Sequence, residues 1–235
     1  MKQIRSVGII LDGNRRWAKA KNLPSLEGHR AGYEALKKLI ADAPYLKKTY
    51  GLEYVTLYCF STENWNRVKE EVGYLMALFE EAFSFVLEKG IRDAEQDPEN
   101  GIRLKVIGER ERFSEKMQKL MAEAEERTKN FGGVTAVFAL SYGGRAEILS
   151  AVEKIKSGVS VVSEETFSNA LWTAGIPDPD IIIRTGGEQR LSNFLPWQSV
   201  YAELFFPETL WPDFTVAHVE KIFEEYYARD RRHGQ

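Results

Sequence analysis

Short apolar runs rich in strand-forming residues alternate with amphipathic helical segments, and this alternation limits the fold more than any other feature of the sequence. The strand-like runs cover 7–11, 54–60, 103–108, 135–140, 180–183 and 200–206. Helical patterns cover 15–21, 29–40, 72–87, 113–130, 146–156, 164–174 and 219–226. Strands that alternate with helices form parallel sheets, because a parallel connection needs a crossover segment. We therefore predict an α/β fold with a mainly parallel central sheet flanked by helices.

We predict a single domain that covers 1–235, because no linker, repeat or low-complexity segment divides the chain. Hydrophobic residues make up 43% and charged residues 29%, which are values of a globular protein rather than a disordered one. The formal net charge of -3 gives no argument for a nucleic-acid partner. Any site for an anionic ligand must therefore be local.

Cysteine content and hydropathy predict the cellular setting. Cys59 is the only cysteine, so no internal disulfide can form, and its place in a strand favours a core residue over a nucleophile. The sequence has no signal peptide and no apolar stretch long enough to span a membrane. We expect a cytoplasmic protein, with peripheral contact at the inner face of the membrane left open.

The first predicted strand ends abruptly in the polar corner 12–17, Asp-Gly-Asn-Arg-Arg-Trp. Gly13 lets the backbone approach a ligand closely, and the free amides at the start of the following helix favour an anion such as phosphate. The alternative is that Asp12 simply caps that helix. Taken alone, the corner favours the structural alternative.

Further polar clusters follow other predicted strands. The segment 61–67 follows the second strand and 184–192 follows the fifth, while His29 opens a helix. Because parallel strands end at one edge of the sheet, these groups are expected to converge. Several arginines suit more than one phosphate, and the carboxylates Asp12 and Glu203 suggest Mg²⁺. The set favours a diphosphate site over a nucleotide site, since neither a Walker A motif nor Gly-x-Gly-x-x-Gly occurs.

Each of these residues also has a structural interpretation. His29 alone would usually be a helix-start residue, and Arg184 and Arg190 are as easily surface charges around a loop. Glu203 differs, because an acid in a hydrophobic strand needs a partner or a metal. The helical face of 72–87 stays open between core packing and the wall of an apolar ligand site.

Several blocks of the sequence, in order, resemble the cis-prenyltransferases, the undecaprenyl diphosphate synthase family. The blocks are Asp12-Gly13-Asn14-Arg15-Arg16-Trp17-Ala18, Gly28-His29, Tyr58-Cys59-Phe60-Ser61-Thr62-Glu63-Asn64-Trp65, Tyr142-Gly143-Gly144-Arg145, Ile183-Arg184-Thr185-Gly186-Gly187-Glu188 and Tyr201-Ala202-Glu203-Leu204. The resemblance implies a Mg²⁺-dependent homodimer that adds isopentenyl diphosphate units to an allylic diphosphate, with farnesyl diphosphate the expected primer. The new double bonds are cis, and the product grows in a hydrophobic tunnel partly walled by 72–87.

The resemblance also implies roles for individual residues. Asp12 is the catalytic carboxylate and a Mg²⁺ contact, Asn64 the proton acceptor and Glu203 the second metal contact. The substrate-binding positions implied by the family are Gly13, Asn14, Arg15, Arg16, Trp17, His29, Ser61, Thr62, Glu63, Trp65, Arg67, Arg184, Arg190, Leu191 and Ser192. Among them, Arg184, Arg190 and Ser192 match the isopentenyl diphosphate site.

The sequence departs from the family pattern at two positions near the allylic diphosphate. Arg15 stands where bacterial members commonly have glycine, and Ser25 stands where many members have a diphosphate-binding arginine.

Two other functions are alternatives. One is a non-catalytic partner subunit of a heteromeric prenyltransferase, which the retained Asp12, Asn64 and Glu203 argue against. The other is a phosphatase with Asp12 as nucleophile, which is weakened because Asn14 stands where the usual second aspartate would be.

Overall fold

The structure is a computed structural model that describes residues 3–156 and 162–229. Its sheet has the order β3-β4-β2-β1-β5-β6, and every adjacent pair is parallel. The strands are β1 (Ser6–Ile10), β2 (Tyr54–Ser61), β3 (Arg103–Ile107), β4 (Thr135–Tyr142), β5 (Ile181–Arg184) and β6 (Glu203–Phe205). The predicted α/β fold with a parallel central sheet is confirmed.

Helices connect these strands and cover both faces of the sheet. The α-helices of the described residues are α1 (Asn14–Ala20), α2 (Ser25–Ala41), α3 (Ala43–Tyr50), α4 (Lys69–Phe85), α5 (Ile91–Ala94), α6 (Glu115–Thr128), α7 (Gly144–Lys156), α8 (Glu164–Ala170) and α9 (Val216–Ala228). A π-helical turn, Val86–Gly90, joins α4 to α5. A bilayer-spanning helix needs about 20 mostly apolar residues, and no helix within 3–156 or 162–229 meets the length and hydropathy that this requires.

Helix α3 and the last strand differ from the sequence prediction. Helix α3 was not predicted, and its Pro44 lies in the first turn, where a missing amide hydrogen costs nothing. The last strand is shorter than 200–206, because only Glu203–Phe205 pairs with β5. Val200 and Tyr201 precede it in a turn, with 68% and 78% of their surface exposed.

Alternate side chains of each strand serve two apolar cores, one on each face of the sheet. In β1, Ile9 belongs to the larger core and Ile10 to the smaller one. Gly8 lies on the same side of the strand as Ile10, and a Cβ atom there would come within 3.0 Å of the Phe194 ring. The glycine in this central strand therefore makes room for an aromatic side chain of the smaller core.

The strand order sets where a ligand can bind. β1 lies between β2 and β5, so the chain leaves β1 towards one side of the sheet and later returns on its other side. In open parallel sheets the crevice at such a point, outside the carboxyl ends of the strands, holds the ligand. The corner that begins at Asp12 stands at this edge.

Candidate active site

A cavity of about 690 Å³ opens at the carboxyl edge of β1, β2 and β5. Its polar lining contains many of the side chains singled out in the sequence. They are Asp12, Asn14, Arg15, Arg16, His29, Ser61, Glu63, Asn64, Arg67, Arg184, Arg190 and Ser192, with the backbone of Gly13 beside them. The structure thus brings the strand-end clusters into one space, while their chemical roles stay predictions.

Asp12 is held by arginines and does not cap a helix. Nη2 and Nε of Arg184 lie 2.8 and 3.2 Å from Oδ2 of Asp12, and Nη2 of Arg16 lies 3.4 Å from Oδ1. The N-cap residue of α1 is Gly13, and no side chain bonds to the first turn. The helix-capping alternative is therefore wrong. The pairing follows from register, since Ile10 of β1 lies opposite Arg184 of β5.

Arg184 is 5% exposed and organises the loop that follows β5. Its Nη1 donates to the backbone oxygen of Arg190 and to Oγ of Ser192, each at 2.7 Å. Ser192 has a φ of 49°, in the left-handed region that costs a serine energy. Burial rules out a surface-charge interpretation for Arg184. Arg190, by contrast, is exposed and pairs with Glu188.

The turn after β2 forms another side of the cavity mouth. The backbone amide of Ser61 donates to Oδ1 of Asn64 at 3.0 Å, which fixes the Asn64 side chain. Glu63 accepts from Nδ2 of Asn193 at 3.0 Å and so ties this turn to the loop after β5. Burial raises the pKa of Glu63, but hydrogen bonds from its own backbone and from Ser61 and Asn193 outweigh burial and leave it lowered. Glu63 is therefore an ionised anchor of this turn.

Sequence reasoning missed one acid in this region, Glu71. Its Oε1 lies 2.9 Å from Nε2 of His29 and 2.9 Å from Nη1 of Arg67. Both Glu71 and His29 are buried. The spacing of Arg67 and Glu71, four residues apart at the start of a helix, was the available signal.

Four predicted binding residues do not line the cavity. Trp17 donates to Asp213 at 2.8 Å, and Trp65 donates to Ser141 at 2.9 Å and packs on Phe60. Thr62 packs beside Gly143, and Leu191 packs against the smaller core. These residues support the walls of the site in this structure.

Glu203 requires a correction, because it does not share an edge with Asp12 within this chain. It is the first residue of β6 and pairs in register with Ile181, the first residue of β5. Asp12 follows the other end of β1, so the full length of the sheet separates the two acids. Glu203 instead accepts from Nη1 of Arg229 at 2.7 Å. The described residues contain no group of three or more His, Cys, Asp or Glu side chains that could hold a metal.

Beyond its polar mouth the cavity is apolar. Its inner lining comes from α2, α4 and the sheet, with Leu36, Cys59, Leu75, Leu78, Phe79, Ala82, Phe83, Val86, Leu104, Phe138 and Leu140. One side of α4 therefore faces the cavity, while Val72 of the same helix does not line it and packs against the core. Burial raises the pKa of the Cys59 thiol to about 12, so it is protonated at neutral pH and is not a nucleophile.

The sequence matches a family model described as putative undecaprenyl diphosphate synthase over residues 10–234. An isoprenyl transferase of Thermotoga maritima is 44% identical over 239 aligned positions, which cover 100% of this chain and 98% of the relative. A Micrococcus luteus protein named ditrans,polycis-undecaprenyl-diphosphate synthase, (2E,6E)-farnesyl-diphosphate specific, is 43% identical, with 98% and 91% covered.

Two solved structures are also similar to this one. Lavandulyl diphosphate synthase from Lavandula x intermedia, in complex with dimethylallyl diphosphate, superposes with a TM-score of 0.89 at 33% identity and 99% coverage of both chains. A probable undecaprenyl diphosphate synthase from Campylobacter jejuni gives 0.80 at 28% identity, with both chains fully covered. The likeness therefore extends over the whole fold.

Proposed function

We propose a function from the premise that this chain belongs to the undecaprenyl diphosphate synthase family of cis-prenyltransferases. In this proposal it extends an allylic diphosphate, such as farnesyl diphosphate, with isopentenyl diphosphate units. The product is a polyprenyl diphosphate with new cis double bonds. The observation that carries the proposal is the cavity itself. An arginine-rich mouth suits two diphosphates, and the apolar interior behind it suits a hydrocarbon chain.

In the proposed reaction the carbon–oxygen bond of the allylic diphosphate breaks, and the isopentenyl double bond forms the new carbon–carbon bond. Arg15, Arg16, His29 and Arg67 bind the departing diphosphate and stabilise its growing negative charge. Arg184 and Ser192, already fixed to each other, hold the isopentenyl diphosphate beside it. Asn64 accepts the proton that is lost from the isopentenyl unit.

We further propose that Asp12 is a contact of a bound Mg²⁺. Arg184 takes up Oδ2 of Asp12, whereas the Oδ1 contact to Arg16 is long at 3.4 Å. One carboxylate oxygen together with substrate phosphate oxygens is a ligand set that suits Mg²⁺. The ion would supply charge neutralisation on the diphosphate. Glu203 of the same chain does not fit this set.

We propose that the protein is a homodimer that pairs near β6. Within residues 3–156 and 162–229 this strand ends the sheet, and a row of its backbone groups has no neighbouring strand there. Leu204 of this strand and Val200 and Tyr201 just before it are exposed apolar side chains. Light scattering coupled to gel filtration should give a dimer for the wild type and a monomer for Leu204→Glu. A monomeric wild type would contradict the proposal.

A cytoplasmic location with peripheral membrane contact is also a proposal, supported by the lipid character of the product. Co-sedimentation with lipid vesicles should increase once the protein has been incubated with both substrates. Equal sedimentation before and after turnover would count against contact through the product.

The direct test of the proposed function is turnover of the purified chain. Incubation with Mg²⁺, labelled isopentenyl diphosphate and farnesyl diphosphate should yield a longer labelled polyprenyl diphosphate. If no labelled isopentenyl unit is incorporated with any allylic primer, the proposal is refuted. Family membership favours this transferase function over the non-catalytic subunit, and it gives no support to the phosphatase alternative.

A further inference from the structure

Glu71 stands at the junction of two helices that both line the cavity mouth. It lies in the first turn of α4. Its Oε1 forms hydrogen bonds with His29 of α2 and with Arg67 of the turn before α4. His29 is 6% exposed and Glu71 is 8% exposed. One carboxylate oxygen therefore fixes two side chains that the proposed function assigns to diphosphate binding.

The charges around His29 define its state before substrate arrives. Burial lowers the pKa of His29, Glu71 opposes that effect, and Arg67 and Arg15 add to it. Burial raises the pKa of Glu71, but the bond to His29 and the positive charges of Arg67 and Arg15 leave it lowered. Near neutral pH the pair is therefore a neutral imidazole beside an ionised carboxylate.

These charge states determine the tautomer of His29. An ionised carboxylate can only accept hydrogen bonds, so Nε2 must carry the hydrogen that it shares with Glu71. Nδ1 is then a bare acceptor, and no residue of the described chain hydrogen-bonds to it. In this state His29 cannot donate to a phosphate oxygen, because its only hydrogen is already used.

We propose that Glu71 is a positioning residue that makes allylic diphosphate binding proton-coupled, with a proton from solvent taken up on Nδ1 of His29. The inference rests on the proposed function. The incoming diphosphate adds negative charge on one side of the ring while Glu71 holds the other side. The imidazolium then donates from Nε2 to Glu71 and from Nδ1 to phosphate, and no other bond changes.

The test is calorimetric titration with farnesyl diphosphate and Mg²⁺, without isopentenyl diphosphate, near neutral pH in buffers of different ionisation enthalpy. The diphosphate can exchange protons itself, so the measured quantity is proton uptake by the wild type minus that of His29→Asn. We expect about 0.5 proton for this difference. For Glu71→Gln, proton uptake minus that of His29→Asn should be less than half of the wild-type difference. Its KM for the allylic diphosphate should rise about tenfold, while its kcat should change less.

Glu81→Gln is the matched control. Glu81 also joins α2 to α4, through Arg30 at 2.6 and 2.9 Å, but neither residue lines the cavity. This variant should keep the wild-type proton uptake. If Glu71→Gln does not fold, Glu71→Asp replaces it, because it keeps the charge but its shorter side chain loses one of the two contacts. Its proton uptake should lie below that of the wild type.

Three results would overturn the inference. They are equal proton uptake by wild type and His29→Asn, wild-type uptake in the Glu71 variant, and the same loss in Glu81→Gln as in Glu71→Gln. Absence of any farnesyl diphosphate binding to the wild type would instead refute the proposed function, and the inference with it.

Discussion

Replacement of Phe138 by alanine should lengthen the product. Phe138 lies on β4, two residues before Leu140 and so further from the carboxyl edge. Its ring meets Phe83 of α4 edge to face, with the ring centroids 6.0 Å apart. Leu104, which pairs in register with Ala136, lies further from the carboxyl edge. We therefore expect these side chains to close the inner end of the cavity, so that removal of the ring deepens it.

The size of the effect follows from the ring that is removed. A cavity of about 150 Å³ accommodates one benzene molecule, so loss of a phenyl ring makes room for roughly one five-carbon unit. Phe-to-Ala changes in cores cost about 3–5 kcal/mol, and the half-buried Phe138 should cost about 2–3 kcal/mol. At about 2–4 °C per kcal/mol for a chain of this size, Tm should fall by about 4–12 °C.

Mass spectrometry of the products made from farnesyl diphosphate measures the shift directly. The distribution should move by about one isoprene unit towards longer chains. Phe131→Ala is the control, because Phe131 is buried in the same core but does not line the cavity. It should lower Tm without changing chain length. An unchanged distribution in Phe138→Ala would refute the assignment of this end of the cavity as the stop for chain growth.

Three further outcomes are expected. Arg184→Lys should lower kcat/KM for isopentenyl diphosphate about 10- to 100-fold, because a single amine cannot hold Asp12 and the following loop together; steady-state kinetics with near-wild-type values would contradict this. Glu203→Gln should lower Tm by no more than about 4 °C, since its pair with Arg229 is partly exposed; a larger loss in thermal melts would show that more depends on it. Glu63 has a lowered pKa, so its stabilisation is complete above its ordinary value of 4.5 and is lost as pH falls through the lower folded value. In urea titrations the unfolding free energy of the wild type should fall more steeply below pH 4.5 than that of Glu63→Gln.

The positions of the strands and of the Asp12 corner could be predicted because both are local features of the sequence. A buried strand such as β5 is a continuous apolar run, and a parallel arrangement follows from the intervening helices. The convergence of Asp12 with Arg184 then follows from the shared edge of the sheet.

The sequence predictions fail where a residue's position depends on the exact start of a strand or helix, or on a contact with a residue far away in the sequence. Glu203 lies in an apolar stretch that predicts a longer strand, yet β6 begins at this residue, which places it at the opposite edge. Helix α3 lies beyond the helical pattern of 29–40, and its Pro44 stands in the first turn, where proline starts a helix instead of interrupting one. The partnership of Glu71 with His29 joins residues 42 positions apart, and no local pattern specifies it.

The π-helical turn at Val86–Gly90 affects which insertions and deletions the chain can accommodate. Such a turn is equivalent to one residue inserted into an α-helix, and its first residue, Val86, lines the cavity. Deletion of a single codon here would restore regular helix, and the following residues would keep their orientation relative to α4 because the turn already absorbs the extra residue. A one-residue change in length at this point is therefore confined to the helical segment beside Val86, while the sheet and its diphosphate-binding edge stay unchanged.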